Sequence, residues 1–194
     1  MADIPDIVAE VNERMDMLEK KREISIAASR SIIRLTKRAI HAIHTDGEHK
    51  GPLNDAVSEF KELLNSIQDE PEIMFSGPVS DAMAELTEAC ILSSIVTDTD
   101  VPSHKTLNVT PQSWAMGLAD CLGELRRILL AHLMCDRTDD ARRVFDVMET
   151  VCDSVLSFDI PDAILPIRRK QDVARSVMER TRTDITHALI MKRN

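Results

Sequence analysis

The stretch Trp114–Leu133, WAMGLADCLGELRRILLAHL, constrains the fold more than any other part of the chain. Trp114, Leu118, Leu122, Leu125, Leu129 and Leu133 recur at helical spacing, which predicts a long helix with one apolar face. Asp120, Glu124 and Arg127 fall on the opposite side, flanked by Met116 and Ile128 and interrupted by Gly117 and Gly123. A glycine inside a helix costs about 1 kcal/mol relative to alanine. Two of them predict close approach of another helix or a ligand, so Asp120 and Glu124, at i and i+4, would stand near a crowded seam. A plainer reading of the same residues is that Glu124 pairs with Arg127 at i,i+3 and Asp120 faces water.

The rest of the chain must pack against this helix with few aromatics. Its 194 residues include four Phe, one Trp and no Tyr, so Ala, Leu, Ile and Met fill the interior, a mix that favours helices. A formal net charge of -9 argues against nonspecific nucleic-acid binding by the whole surface, though not against a local basic patch. Cys90, Cys121, Cys135 and Cys152 lack paired metal-ligand spacing and read as buried thiols of a reducing compartment. No apolar run has transmembrane length and no leader pattern opens the chain, so the expectation is a soluble, cytoplasmic protein without membrane contact.

A first helix is predicted from about Pro5 to His44, with Ala28, Ile32, Leu35, Ala39 and Ile43 as its apolar stripe. Arg30, Arg34, Lys37, Arg38 and His41 form a second stripe nearly opposite. Between residues 20 and 44 the single acid is Glu23, a local reversal of charge in an acidic chain. Such a stripe can hold phosphates, or serve as an ordinary wet face. Thr45–Pro52 reads as a turn, in which His49 has no second ligand at metal spacing. A helix follows over Leu53–Ile67 with Ala56, Phe60, Leu63 and Ile67 inward. Gln68–Pro78 is a connection whose Ile73, Met74 and Phe75 tuck into the core.

The next helix is predicted over Ser80–Val96, capped by Ser80 or Asp81. Glu85 and Glu88 share one side of it, a pairing also common on solvated helices. Thr97–Gln112 is a helix-breaking stretch near a functional opening, with His104 and Lys105 facing a substrate or plain surface. After a short break at Cys135–Asp140, a helix over Ala141–Leu156 buries Val144, Met148, Val151, Cys152 and Val155. A last helix begins near Ile167 with Val173, Val177, Thr181, Ile185 and Leu189 inward, and Arg168, Arg169, Lys170, Arg175, Arg180 and Arg182 as exposed charge. The expected fold class is all-α, a single-domain bundle of six or seven helices spanning residues 1–194.

Gly117–Glu124, GLADCLGE, with Leu125 and Arg126, resembles the hallmark helix of the translin and translin-associated factor X family. The Val151–Asn194 region, with its RRKQDV stretch and terminal ALIMKR, is similar to that family's closing helix pair. The basic Lys20–His44 segment is similar to its opening helix, and Phe60, Leu63 and Glu85–Ala89 follow in order, so the resemblance covers most of the chain. The family divides into translin, a nucleic-acid-binding scaffold, and the associated factor X, a Mg²⁺-dependent endoribonuclease acting on single-stranded RNA within closed oligomers, commonly hexamers or octamers.

The resemblance places the catalytic, metal-holding acids at Glu85 and Glu88 in AELTEA and at Asp120 and Glu124 in LADCLGEL. All four acids are present, so it implies the catalytic branch. Mg²⁺, or Mn²⁺ in its place, is the implied cofactor, since such hard ions take oxygen ligands. The implied partners are single-stranded RNA or single-stranded DNA, guided by Arg30, Arg34, Lys37 and Arg38, and further copies of the same chain. Thr97–Pro111 is shorter than in the eukaryotic catalytic member, which implies a compact form able to assemble without a second kind of chain. The alternatives are a noncatalytic, translin-like binder of RNA or single-stranded DNA, and a structural assembly whose charges serve solubility. The nuclease reading requires Glu85 and Glu88 to meet Asp120 and Glu124 in space.

Overall fold

The computed structural model describes residues 3–191, and among these every regular element is a helix. Helix α1, Ile4–His44, is 41 residues long, or about 60 Å at 1.5 Å per residue. Its C-terminal half is amphipathic: Ile32, Leu35, Ala39 and Ile40 are buried, while Arg30, Arg34, Lys37 and Arg38 stay outside. Its N-terminal part lacks core contacts, and Ile4, Ile7, Val8, Val11 and Met15 are exposed. Arg14 and Lys21 clasp the buried Glu70, and their hydrogen bonds hold its carboxyl at about 2, well below the usual range.

Helix α2, Lys50–Ile67, starts earlier than Leu53 because Gly51 and Pro52 fit its first turn, where Glu48 accepts the Gly51 N–H. Pro52 gives up no intrahelical bond there. Ala56, Phe60, Leu63 and Ile67 are buried as expected. The following connection contains the short helix α3, Pro71–Met74; Ile73 is buried, but Phe75 is exposed beyond its end.

Helix α4, Gly77–Val96, is the most enclosed element. Buried residues occur all round it, from Val79 and Met83 to Thr87, Glu88, Ile91 and Ser94, so it lacks an amphipathic stripe. Its N-cap is Ser76, not Ser80 or Asp81, because Pro78 is accommodated in the first turn. α1 packs on one side of α4, and helix α6, Pro111–Met134, packs on another. Between α4 and α6 lies the short helix α5, His104–Leu107, capped by Ser103, within the stretch expected to be loop. The Trp114 indole N–H donates to the Pro102 carbonyl at 3.0 Å and ties this segment to α6.

Leu118, Leu122, Leu125 and Leu129 of α6 are buried, with Trp114 and Leu133 half-buried at its ends. The two glycines differ. A Cβ at Gly117 would lie 2.5 Å from the Ala84 carbonyl oxygen and 2.8 Å from the Thr87 Cβ, so α4 and α6 touch there backbone to backbone. A Cβ at Gly123 would meet nothing within 4 Å, so the expected second close approach is absent.

Helices α7, Thr138–Leu156, and α8, Arg168–Met191, form a hairpin against α6. The buried Gln171 closes it by donating to the carbonyls of Val155 and Phe158, and Arg126 of α6 reaches Thr181 and Asp184. The inward face of α8 is Gln171, Ala174, Val177, Met178, Thr181 and Ile185; Val173 is exposed, displaced by the wider angle that Ala174 and Met178 define. Cys90, Cys121 and Cys152 are buried thiols, but Cys135 is exposed because it caps the end of α6. No helix of the described residues is long and apolar enough to cross a membrane.

The close contact at Gly117 gives a direct test. Gly117→Ala forces backbone apart and should lower stability by about 1–3 kcal/mol, whereas Gly123→Ala should raise it by up to about 1 kcal/mol. Chemical denaturation of the two variants measures both; a Gly117→Ala protein as stable as wild type would refute the tight α4–α6 seam.

Candidate active site

Glu85 and Glu88 sit one turn apart on α4, and Asp120 and Glu124 one turn apart on α6. The seam at Gly117 sets their spacing, since Glu88 N lies 3.0 Å from the position of a Gly117 Cβ. Cys121, between the two α6 acids, lies 3.5 Å from the Glu88 carbonyl oxygen through its Sγ. The α4 and α6 segments that carry the four carboxylates are thus in direct contact. Burial raises the pKa of Glu88 to about 8, and the negative charges of Asp120, Glu85 and Glu124 add to that effect. Glu85 is also raised, first by burial and then by Asp120 and Asp81, with Lys37 opposing. Burial, followed by the charges of Glu88, Asp120 and Glu124, suppresses ionisation of the Cys121 thiol.

Each α6 carboxylate is held by a base from an outer helix. Asp120 does not simply face water; Lys170 of α8 donates to it. Glu124 bonds the imidazole of His44 at the end of α1, and Arg127 stands farther off at 4.0 Å. Lys170 is thus a site residue rather than free surface charge, and His44 is a site residue that helical spacing alone did not single out. Their partners lie 50 and 80 residues away in sequence, so no local pattern announces them.

The side chains of Glu85, Glu88, Asp120 and Glu124 are oxygen donors of the kind a hard divalent cation takes. Asp120 and Glu124 are engaged by Lys170 and His44, and among the described residues no group of three or more acidic, histidine or cysteine side chains stands close enough to hold a metal ion.

Arg30, Arg34, Lys37, Arg38 and His41 line an open surface groove of about 590 Å³, together with Ile33, Ala42, Glu48 and Pro52. Lys37 belongs to both features, for it lines the groove and its charge reaches Glu85. Lys37 is thus the groove residue whose charge acts on the α4 acids, although no residue of α4 or α6 lines the groove itself. His49 donates to or accepts from Ser93 at 3.0 Å and belongs to neither. His104 and Lys105 lie on α5 and are not ion-paired to the four carboxylates.

An enclosed central helix, a glycine-tight partner helix and carboxylates from both define the class as an all-α bundle with acids along its central seam. No family model matches the chain. The crystal structure of AfC3PO is similar, with 31% identity, a TM-score of 0.89 and coverage of 96% of this chain and 99% of that one. AfC3PO in a complex with duplex RNA matches at 29% identity and a TM-score of 0.80, over 96% and 98% of the two chains. Apo-NeC3PO shares the fold at 17% identity and a TM-score of 0.85, over 97% of this chain and 100% of that one. An uncharacterised protein of Methanocaldococcus jannaschii is 35% identical over 183 residues, covering 91% of this chain and 81% of the relative. The chain belongs to the translin family.

The raised pKa of Glu88 has a consequence for stability with a definite sign. Its folded value of about 8 exceeds the ordinary carboxylate value of 4.5, so the native state binds the proton more tightly than the unfolded chain. Glu88 therefore destabilises the fold progressively as pH rises from 4.5 to 8. In metal-free buffer, Glu88→Gln should become more stable than wild type as pH rises through this window, by about 1–3 kcal/mol at the upper end. Parallel melting curves from pH 5 to pH 8.5 check it; a constant difference would mean that Glu88 titrates normally.

Proposed function

We propose that this protein is a C3PO-type, Mg²⁺-dependent endoribonuclease that cleaves single-stranded RNA. The observation that supports this reading is that the charges of Glu85 on α4 and of Asp120 and Glu124 on α6 all act on the buried Glu88 carboxyl. Unneutralised, such a group repels itself; a divalent cation relieves the repulsion. The association of AfC3PO with duplex RNA supports RNA as the polymer, and the basic groove supplies the charge to receive its backbone.

In this reading Arg30, Arg34 and Arg38 bind backbone phosphates along α1, and Lys37 links the groove to the acids through its charge. Glu85, Glu88, Asp120 and Glu124 would hold Mg²⁺, with Mn²⁺ as a substitute. When bound, that ion polarises the phosphate and lowers the pKa of an attacking water. Glu88 keeps its carboxyl proton near neutral pH in the metal-free state and must release it to serve as a ligand. Lys170 and His44 screen the two α6 acids from their neighbours on α4. The exposed Ile4, Ile7, Val8, Val11 and Met15 on α1 support self-association, which in this reading yields a closed hexamer or octamer.

A noncatalytic, translin-like binder of RNA or single-stranded DNA is the second reading. It is favoured by one observation: Asp120 and Glu124 already have bases as partners.

Incubation of labelled single-stranded RNA with the full chain separates these readings. Mg²⁺-dependent cleavage abolished by EDTA and by Glu88→Ala is expected; salt-sensitive binding without cleavage favours the binder. A duplex substrate run alongside defines strand preference. Replacing Arg30, Arg34 and Arg38 together with Gln should weaken RNA binding and flatten its dependence on log salt by about 0.7 for each phosphate no longer neutralised. Single-turnover cleavage of RNA already bound should change much less. An unchanged salt slope would remove α1 from the RNA path.

A further inference from the structure

Granted the nuclease reading above, we infer that His44 is a positioning residue for Glu124, holding one oxygen of that carboxylate so that the other is presented to the cation. The His44 side chain is 4% exposed, whereas the Glu124 side chain is 29% exposed. The ring is thus enclosed by its surroundings, and the carboxylate is the more exposed partner. His44 Nε2 bonds Glu124 Oε2, leaving Oε1 outside that bond.

Glu124 has two forces drawing it away from the cluster. Asp120, one turn away on the same helix, and the two α4 acids bear the same sign of charge as Glu124. Arg127 lies on its own helix with a side chain 60% exposed and 4.0 Å away, and would lead the carboxylate toward solvent. A donor that keeps Glu124 inward must come from another element and must not itself swing out. His44 meets both conditions. It ends α1, and the preceding Ile43 packs against the core. α1 and α6 each pack on α4, so the His44–Glu124 bond spans from one flank of α4 to the other at the end of α1.

Lys170 does not do the same for Asp120. Its side chain is 27% exposed and ends in a flexible point charge that can leave when a cation arrives. A buried ring with a directional N–H fixes a carboxylate, and such outer partners of ligating groups typically contribute about 10–100-fold to metal affinity.

The test is a calorimetric titration of the purified full chain with Mn²⁺, compared for wild type, His44→Leu, His44→Gln and His44→Asn. His44→Leu and the too-short His44→Asn should bind Mn²⁺ about 10–100-fold more weakly. His44→Gln, which keeps an N–H donor at similar reach, should recover most of the loss. Crystal structures should show Glu124 turned toward Arg127 in His44→Asn and inward in His44→Gln. If His44→Leu does not fold, the Asn and Gln pair still decides. Equal affinity in all four proteins, or equal weakening in Gln and Asn, overturns the positioning role. Absence of Mn²⁺ binding by wild type overturns the nuclease reading itself, and the role of His44 with it.

Discussion

The contact of α4 with α6 at Gly117 is the constraint from which the site follows. With a carbonyl of one helix in the place a Cβ of the other would take, the two axes have little freedom to separate or slide. That proximity seats Glu88 in an apolar interior and turns Asp120 and Glu124 toward it. The same closeness raises the free energy of the charged state. Packing that stabilises the bundle therefore concentrates electrostatic repulsion at its centre, a pattern familiar where function is built into a core.

The protein meets that repulsion unevenly. The α6 acids receive bases from the flanks, Lys170 from α8 and His44 from α1. The α4 acids receive burial and like charge, with Lys37 and Lys170 at a distance. The imbalance points inward, toward Glu88. Elsewhere the chain satisfies a buried acid directly: Glu70 is gripped by Arg14 and Lys21 and stays ionised. Two enclosed glutamates in one small bundle thus sit at opposite ends of the carboxylate range, and the one without a paired base is the one that Asp120, Glu85 and Glu124 act on.

Much of this is legible in the residue pattern alone. The amphipathic halves of α1, α2 and α6 announce their inward faces because a single period governs each. Gly117 signals a tight seam, and the four acids stand at spacings that share a helix face. α4 is harder to read as the centre because burial on all sides erases periodicity. Gly123 carries the same local signal as Gly117 but faces open space, a difference set by α4 and not by α6. Val173 and Phe75 have apolar side chains at positions that the packing of neighbours leaves outside. Lys170 and His44 escape such a reading because their bonds join distant parts of the chain, and residue spacing carries no record of such pairs.

The cysteines offer a practical handle. Burial raises the thiols of Cys90, Cys121 and Cys152, the first to about 12, which leaves them little nucleophilic thiolate. Cys135 alone among the four is exposed, at the C-terminal end of the helix that carries Asp120 and Glu124. A maleimide dye or nitroxide would therefore attach selectively at that helix end in the native protein, placing a spectroscopic reporter on α6 without engineering the sequence.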